Sequence, residues 1–154
     1  MHKLIPFYLS GASWNYKFEA REGIIACGQI AGPELMEFYK RSPRNDILRL
    51  WGVMRYRGCV PLLIEILEKN DRFWAAQEFE DNWWNTDNNP EQRKQRREIY
   101  GQTYYVVSAL KDIGDPRAKE IIEQTLNRWK QIDFDNPQIV KTCEQALKRF
   151  AENP

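Results

Sequence analysis

Apolar residues recur along most of this chain at intervals of three and four, the spacing of one face of an α-helix. The clearest stretch runs from Ile99 to Trp129. Ile99, Thr103, Val106, Leu110 and Ile113 form one stripe, and Ala118, Ile121, Ile122, Thr125 and Trp129 form a second. Between them lies Ile113-Gly114-Asp115-Pro116-Arg117-Ala118. Gly114, lacking Cβ, can take the left-handed conformation that ends a helix. Asp115 suits the cap of the next helix, and Pro116 its first position, where no N–H is needed. Helices joined this tightly fold back antiparallel. Each keeps apolar surface that only neighbours of the same kind can cover.

The same pattern reads through the rest of the chain. His2 to Leu9 is predicted as a short helix over the open end of the array. Asn15 to Gln29 is predicted as a helix with Tyr16, Ala20, Ile24 and Cys27 on one side. Its exit, Ile30-Ala31-Gly32-Pro33-Glu34-Leu35, has the shape of the turn at Gly114. The helix of Leu35, Phe38 and Tyr39 stops at Ser42-Pro43, because the residue before proline avoids helical angles. Asp46 is expected to cap a helix carrying Ile47, Leu50, Trp51 and Met54. Gly58 is expected to turn the chain into the stripe Val60, Leu63, Ile64 and Leu67. From Ile30 to Met54 is 24 residues and from Met54 to Ile113 is 59, so the repeat is irregular and leaves room for an added element at 71–90. There, Asp71 is expected to cap a helix reaching about Trp84, followed by the polar turn Thr86-Asp87-Asn88-Asn89-Pro90. Pro90 opens a long charged helix to Ile113, with Gly101 as its weak point. A last helix after Asn136-Pro137 carries Ile139, Val140, Cys143, Ala146, Leu147 and Phe150. Its other face is polar, as a terminal cap requires. No strand-like alternation competes. The prediction is one all-α domain over residues 1–154.

The turn Ile113-Gly114-Asp115-Pro116-Arg117-Ala118, with its following apolar helix, resembles the inter-helix turn of HEAT repeats, of the type also found in phycobilisome bilin lyases. Val60-Pro61-Leu62-Leu63-Ile64-Glu65-Ile66-Leu67 is similar to the second helix of such a repeat. The turn before it, Arg55-Tyr56-Arg57-Gly58, lacks the Gly-Asp-Pro form. The resemblance implies a short α-solenoid of about three antiparallel HEAT-like helix pairs with flanking cap helices, serving to bind other macromolecules. It also implies that the second helix of each pair lines the concave side. The corresponding positions lie among Glu34, Glu37, Arg41, Glu65, Glu68, Glu120, Glu123 and Asn127, a predominantly acidic set.

Charge and composition narrow the function. Lys and Arg number 23 against 22 acids, a net charge of +1 that argues against a dedicated nucleic-acid binder. Three cysteines, widely spaced and without a CxxC pair, give neither a disulfide framework nor a zinc site. Each sits at an apolar helical position, which suits reduced thiols in a cytoplasmic protein. No apolar run approaches the ~18 residues of a membrane span. The sole histidine is His2, so no Ser–His or Cys–His arrangement is available. There is no glycine-rich phosphate loop. No catalytic residue, metal ligand or cofactor is expected.

The informative stretch is Arg72-Phe73-Trp74-Ala75-Ala76-Gln77-Glu78-Phe79-Glu80-Asp81-Asn82-Trp83-Trp84. On a helical projection Phe73, Ala76, Phe79, Trp83 and Trp84 form a core stripe. Glu80 falls inside it, and so needs either a partner within the fold or an outside ligand. Trp74 falls on the opposite side beside Asp81. A neighbouring helix could cover it; exposed, it would anchor an interface, with Glu78 and Asp81 as acidic surroundings. Residues 71–90 hold five acids against one Arg, which matches a partner with a basic patch. The run Arg93, Lys94, Arg96 and Arg97 is either a solvated helix face or an anion site.

These observations favour a non-catalytic protein-binding module, a scaffold or adaptor, whose candidate contacts are Trp74, Glu78, Glu80, Asp81, Trp84, Glu65, Glu68, Glu120 and Glu123. One form is an immunity-type inhibitor of a basic protein. The alternatives are an accessory subunit of a bilin lyase or other chromophore-handling enzyme, which the resemblance suggests, and nucleic-acid binding through residues 93–97.

Overall fold

The computed structural model describes residues 4–10, 14–77, 89–132 and 138–152. The described residues are almost entirely helical and contain no strand. The α-helices are α1 (Leu4–Leu9), α2 (Trp14–Cys27), α3 (Gly32–Arg41), α4 (Asn45–Met54), α5 (Val60–Ala75), α6 (Pro90–Ile113), α7 (Lys119–Gln131) and α8 (Gln138–Glu152).

Two of the connections share one construction: a left-handed residue ends the first helix, one extended residue and a 3-10 turn follow, and the second helix starts at once. The first connection differs, with its left-handed Gly28 inside the 3-10 turn and Ala31 before α3; Gly32 is the first residue of α3, so Ile30–Leu35 does not repeat the turn at Gly114 as expected. The left-handed residues are Gly28, Arg55 and Gly114, with φ of 53°, 50° and 71°, and the 3-10 turns are Gly28–Ile30, Arg57–Cys59 and Pro116–Ala118. A small buried side chain closes each turn: Ala31, Cys59 and Ala118 are all 0 % exposed. Only the third turn follows the expected capping chemistry. The Asp115 side chain accepts from the Arg117 amide at 3.1 Å.

Two expected caps are displaced. Asp46 does not cap α4, whose N-cap is Arg44; instead Arg44 grips the Asp46 carboxylate with Nε at 3.1 Å and Nη2 at 2.7 Å. Asp71 does not start a helix. The helix α5 runs through it unbroken to Ala75, because its side chain is needed sideways rather than at an end. Gly101, expected as a weak point, lies within the continuous α6.

The long α6 is the hub. It packs against α4 on one side and α8 on the other, and also touches α5; α2 packs on α4, α7 packs on α5 and α8, and α1 lies on α2. The close approach of α4 and α6 is made at Gly52, where a Cβ would stand 3.1 Å from the Ala109 Cα. The core is one continuous cluster, with Ile24, Leu35, Trp51, Leu63, Leu110 and Ile122 fully buried. Polar ties fix neighbouring helices in register. Asn70 Nδ2 donates to Thr103 Oγ1 at 3.2 Å, and Gln102 Nε2 to the Tyr39 hydroxyl at 3.1 Å. Burial pushes the Tyr39 phenol above its ordinary range.

Candidate interaction surface

Trp74 does not anchor a surface. It is 1 % exposed, and its ring meets Trp129 edge-on at 5.1 Å and Phe73 at 5.1 Å. Tyr100 joins the same cluster through Trp129 at 5.4 Å, so three helices share one aromatic knot. The helical projection placed Trp74 on the wet side because it took residues 71–84 as a separate helix. As the last turn of α5, the same residue continues the buried stripe Leu63, Leu67, Asn70 and Trp74. Glu78, Glu80, Asp81 and Trp84 lie outside the described residues, as does the predicted turn at Thr86.

Asp71, read as a cap from the sequence, is a buried carboxylate that binds α5 to α7. Gln124 Nε2 donates to it at 2.9 Å and Arg128 Nε at 3.2 Å. A carboxylate only 5 % exposed is tolerable because both oxygens are engaged by donors, one of them cationic. At the other end of the pair, Arg117 Nη2 donates to the Arg57 carbonyl at 3.5 Å. These two ties, Arg57 with Arg117 and Asp71 with Gln124 and Arg128, make α5 and α7 run side by side in the same direction.

That register brings the expected acidic positions together. Glu65 and Glu68 lie on α5 between the two ties, and Glu120 and Glu123 lie on α7 in the same interval. All four are exposed. Lys119 pairs with Glu123 at 3.9 Å across one helical turn. Glu65, Glu68 and Glu120 make no ion pair among the described residues. The exposed Lys69 and Arg72 fall toward the Asp71 end of α5, beyond the carboxylates. On α3, Glu37 is exposed but engaged by Lys40 at 3.0 Å, Glu34 is half-buried, and Arg41 is exposed. Asn127 is exposed on α7. The α5–α7 pair is balanced overall, with five acids against five bases, but Glu65, Glu68 and Glu120 are its exposed carboxylates without an ion pair among the described residues.

Two basic features lie elsewhere. Arg93, Lys94, Arg97, Pro90 and Glu98 line a shallow cleft at the start of α6, where Lys94 and Glu98 stand 4.0 Å apart. Arg44, Asn45, Asp46, Arg49 and Tyr105 line another between α4 and α6. The Arg44–Asp46 pair is self-contained and also ties α1, since Arg44 Nη1 donates to the Leu9 carbonyl at 2.7 Å.

Among the described residues no group of three or more His, Cys, Asp or Glu is placed to hold a metal ion, and no helix is long and apolar enough to cross a membrane. Burial pushes the Cys59 and Cys143 thiols up to about 12, while Cys27 is half-buried. Compared with protein-family models, curated proteins and solved structures, the chain matches none.

Proposed function

We propose that this chain is a short HEAT-like α-solenoid that works as a non-catalytic protein-binding module. Its partner is a protein with a basic patch, and the docking face is the outer side of α5 and α7. One observation carries the reading. Glu65, Glu68 and Glu120 are exposed on two helices held side by side in one direction, and none is neutralised by an ion pair among the described residues. Free carboxylates clustered on a rigid support raise the rate and selectivity of association with a cationic surface. The support is rigid because Asp71, Gln124 and Arg128 lock the two helices behind the charges. The reading keeps Glu65, Glu68, Glu120 and Glu123 as partner contacts and leaves Trp74 to the core. An inhibitor that covers the basic active cleft of an enzyme is the version this charge arrangement suits best.

The test is affinity capture on the intact chain, followed by binding measurements with the purified partner. The charge-reversed variant Glu65→Lys/Glu68→Lys/Glu120→Lys is expected to lose at least tenfold in affinity, chiefly through slower association. The wild-type interaction is expected to weaken steeply with added salt. A partner bound equally well by the variant would overturn the assignment of this face.

A further inference from the structure

The second and third turns differ at one position where their backbones agree. Gly114 occupies the left-handed C-cap in the third, but Arg55 occupies it in the second, at φ 50°. A side chain with a Cβ is disfavoured there by about 1–2 kcal/mol relative to the ordinary helical region. The bonds from the Arg55 and Tyr56 amides that close α4 hold this conformation whatever the side chain, so the choice of arginine over glycine calls for a reason in the side chain itself. Arg55 is exposed and makes no ion pair among the described residues.

The surroundings of Arg55 supply the reason. The first turn is docked on the second: Gln29 Nε2 donates to the Met54 and Arg55 carbonyls at 3.3 and 3.2 Å. The Tyr56 ring fills the space a Cβ on Gly32 would need. This docking sets the first turn, which carries Ile30, 73 % exposed and the most exposed of the large hydrophobic side chains described, against the second. The third turn is tied to the second through Arg117 and the Arg57 carbonyl. Along this edge stand Ile30, Arg55, Arg57 and Arg117, all exposed. Asp115, 4 % exposed, is held there by Arg117 Nε and Nη2 at 2.9 and 2.7 Å, and Asp112, paired with Lys111 at 3.6 Å, stands beside Gly52 one turn before Arg55. Three arginines and a lysine against two carboxylates leave the edge positive. Arg57 to Glu65 spans ~12 Å of helix axis, more than the ~8 Å screening length at physiological salt, so the edge acts apart from the acidic face.

We infer that this edge is a second docking surface, for an acidic segment of a partner protein that carries an apolar side chain. Arg55 and Arg57 present planar forks that engage carboxylates in paired hydrogen bonds, and Ile30 receives the apolar residue. Four cations with two compensated are too few to hold a nucleic-acid backbone at physiological salt. A short carboxylate-rich peptide needs no more. Together with the acidic α5–α7 face, the edge makes the chain a bridge between surfaces of opposite charge.

The experiment uses the full chain and a short fluorescein-labelled peptide of Glu, Asp and Leu, read by anisotropy. A single-stranded oligonucleotide of equal length serves as competitor. Arg55→Gly separates binding from folding, since it relieves the strained position while removing the fork. It is expected to raise Tm and to weaken the peptide roughly two- to fivefold. Arg57→Gln is expected to weaken it similarly, and Glu65→Lys/Glu68→Lys to leave it no weaker. Absence of saturable peptide binding, equal binding by Arg55→Gly, or stronger binding of the oligonucleotide would each overturn the proposal.

Discussion

The α4–α5 and α6–α7 units are built on one frame with two different turns. Offset by 59 residues, the buried positions coincide: Ile47 with Val106, Leu48 with Val107, Trp51 with Leu110, Met54 with Ile113, Cys59 with Ala118, Leu63 with Ile122 and Leu67 with Leu126. The turns between them share almost no chemistry. In the third turn a glycine takes the left-handed site and Asp115 caps the 3-10 turn. In the second, Arg55 takes that site, no side chain caps the turn, and Tyr56 wedges against Gly32 and Gly58 instead. The comparison separates two layers of information. Buried spacing specifies the frame, and turn residues are free to be exchanged for whatever an exposed edge requires.

The largest expected effect tests the frame. Leu63→Ala and Ile122→Ala remove equivalent, fully buried side chains and should each cost about 2–5 kcal/mol in denaturant unfolding. Leu110→Ala belongs to the same class. Ile64→Ala, at a half-buried position, should cost clearly less. Equal losses at Ile64 and Leu63 would mean the helix faces are rotated from those described.

Next comes the contact between the first helices of the two units. Gly52→Ala forces a Cβ to 3.1 Å from the Ala109 Cα and should destabilise by about 1–3 kcal/mol. Gly101→Ala, whose Cβ would meet only Asn45 Nδ2 at 3.6 Å, should instead stabilise α6 by about 0.5–1 kcal/mol. The opposite signs, measured as shifts in unfolding midpoint, separate close packing from helix propensity.

The turns themselves should respond in opposite directions. Gly114→Ala strains a left-handed residue and brings its Cβ to 3.2 Å from Arg149 Nε, costing about 1–2 kcal/mol. Arg55→Gly should gain up to about 1 kcal/mol at the equivalent site. Thermal unfolding of the two variants side by side decides whether the backbone roles are the same.

The smallest effect is one of pH. The hydrogen bond from Arg117 holds the Asp115 carboxyl below its ordinary value of 3.8. A carboxylate with a depressed folded-state pKa contributes stability that is present above the unfolded-state value and is lost as pH falls through the folded one. Wild-type stability should therefore decline more below about pH 4 than that of Asp115→Asn, and the two should run parallel above it. Parallel curves throughout would show that the Asp115–Arg117 pair does not stabilise the third turn.

Much of the frame was legible in the sequence because helical spacing reports burial directly. Thr103, Val106, Leu110, Ile113, Ala118, Ile121, Ile122, Thr125 and Trp129 are all buried, as their stripes require. Gly114 and Asp115 hold the conformations that their chemistry suggests. What failed were readings that needed knowledge of neighbours. Asp71 carries the signature of a cap, yet its role is set by Gln124 and Arg128, more than fifty residues away. Trp74 changed sides because α5 runs on through Asp71 to Ala75 and carries its own buried stripe with it. Arg55 gave no signal at all, since a left-handed arginine looks like any other in a sequence. The acidic positions on α5 and α7 could be named from the resemblance, but their alignment depends on ties that no spacing encodes.

Carboxyl footprinting tests the central claim most directly. The chain is labelled with a water-soluble carbodiimide and an amine, free and in complex with its captured partner, and each site is read by mass spectrometry. Glu65, Glu68 and Glu120 should label readily in the free chain and be protected together in the complex, while Glu98 and Glu144 label equally in both. Protection at Glu98 or Glu144 with Glu65, Glu68 and Glu120 still labelled would contradict the account and move the partner off the α5–α7 face.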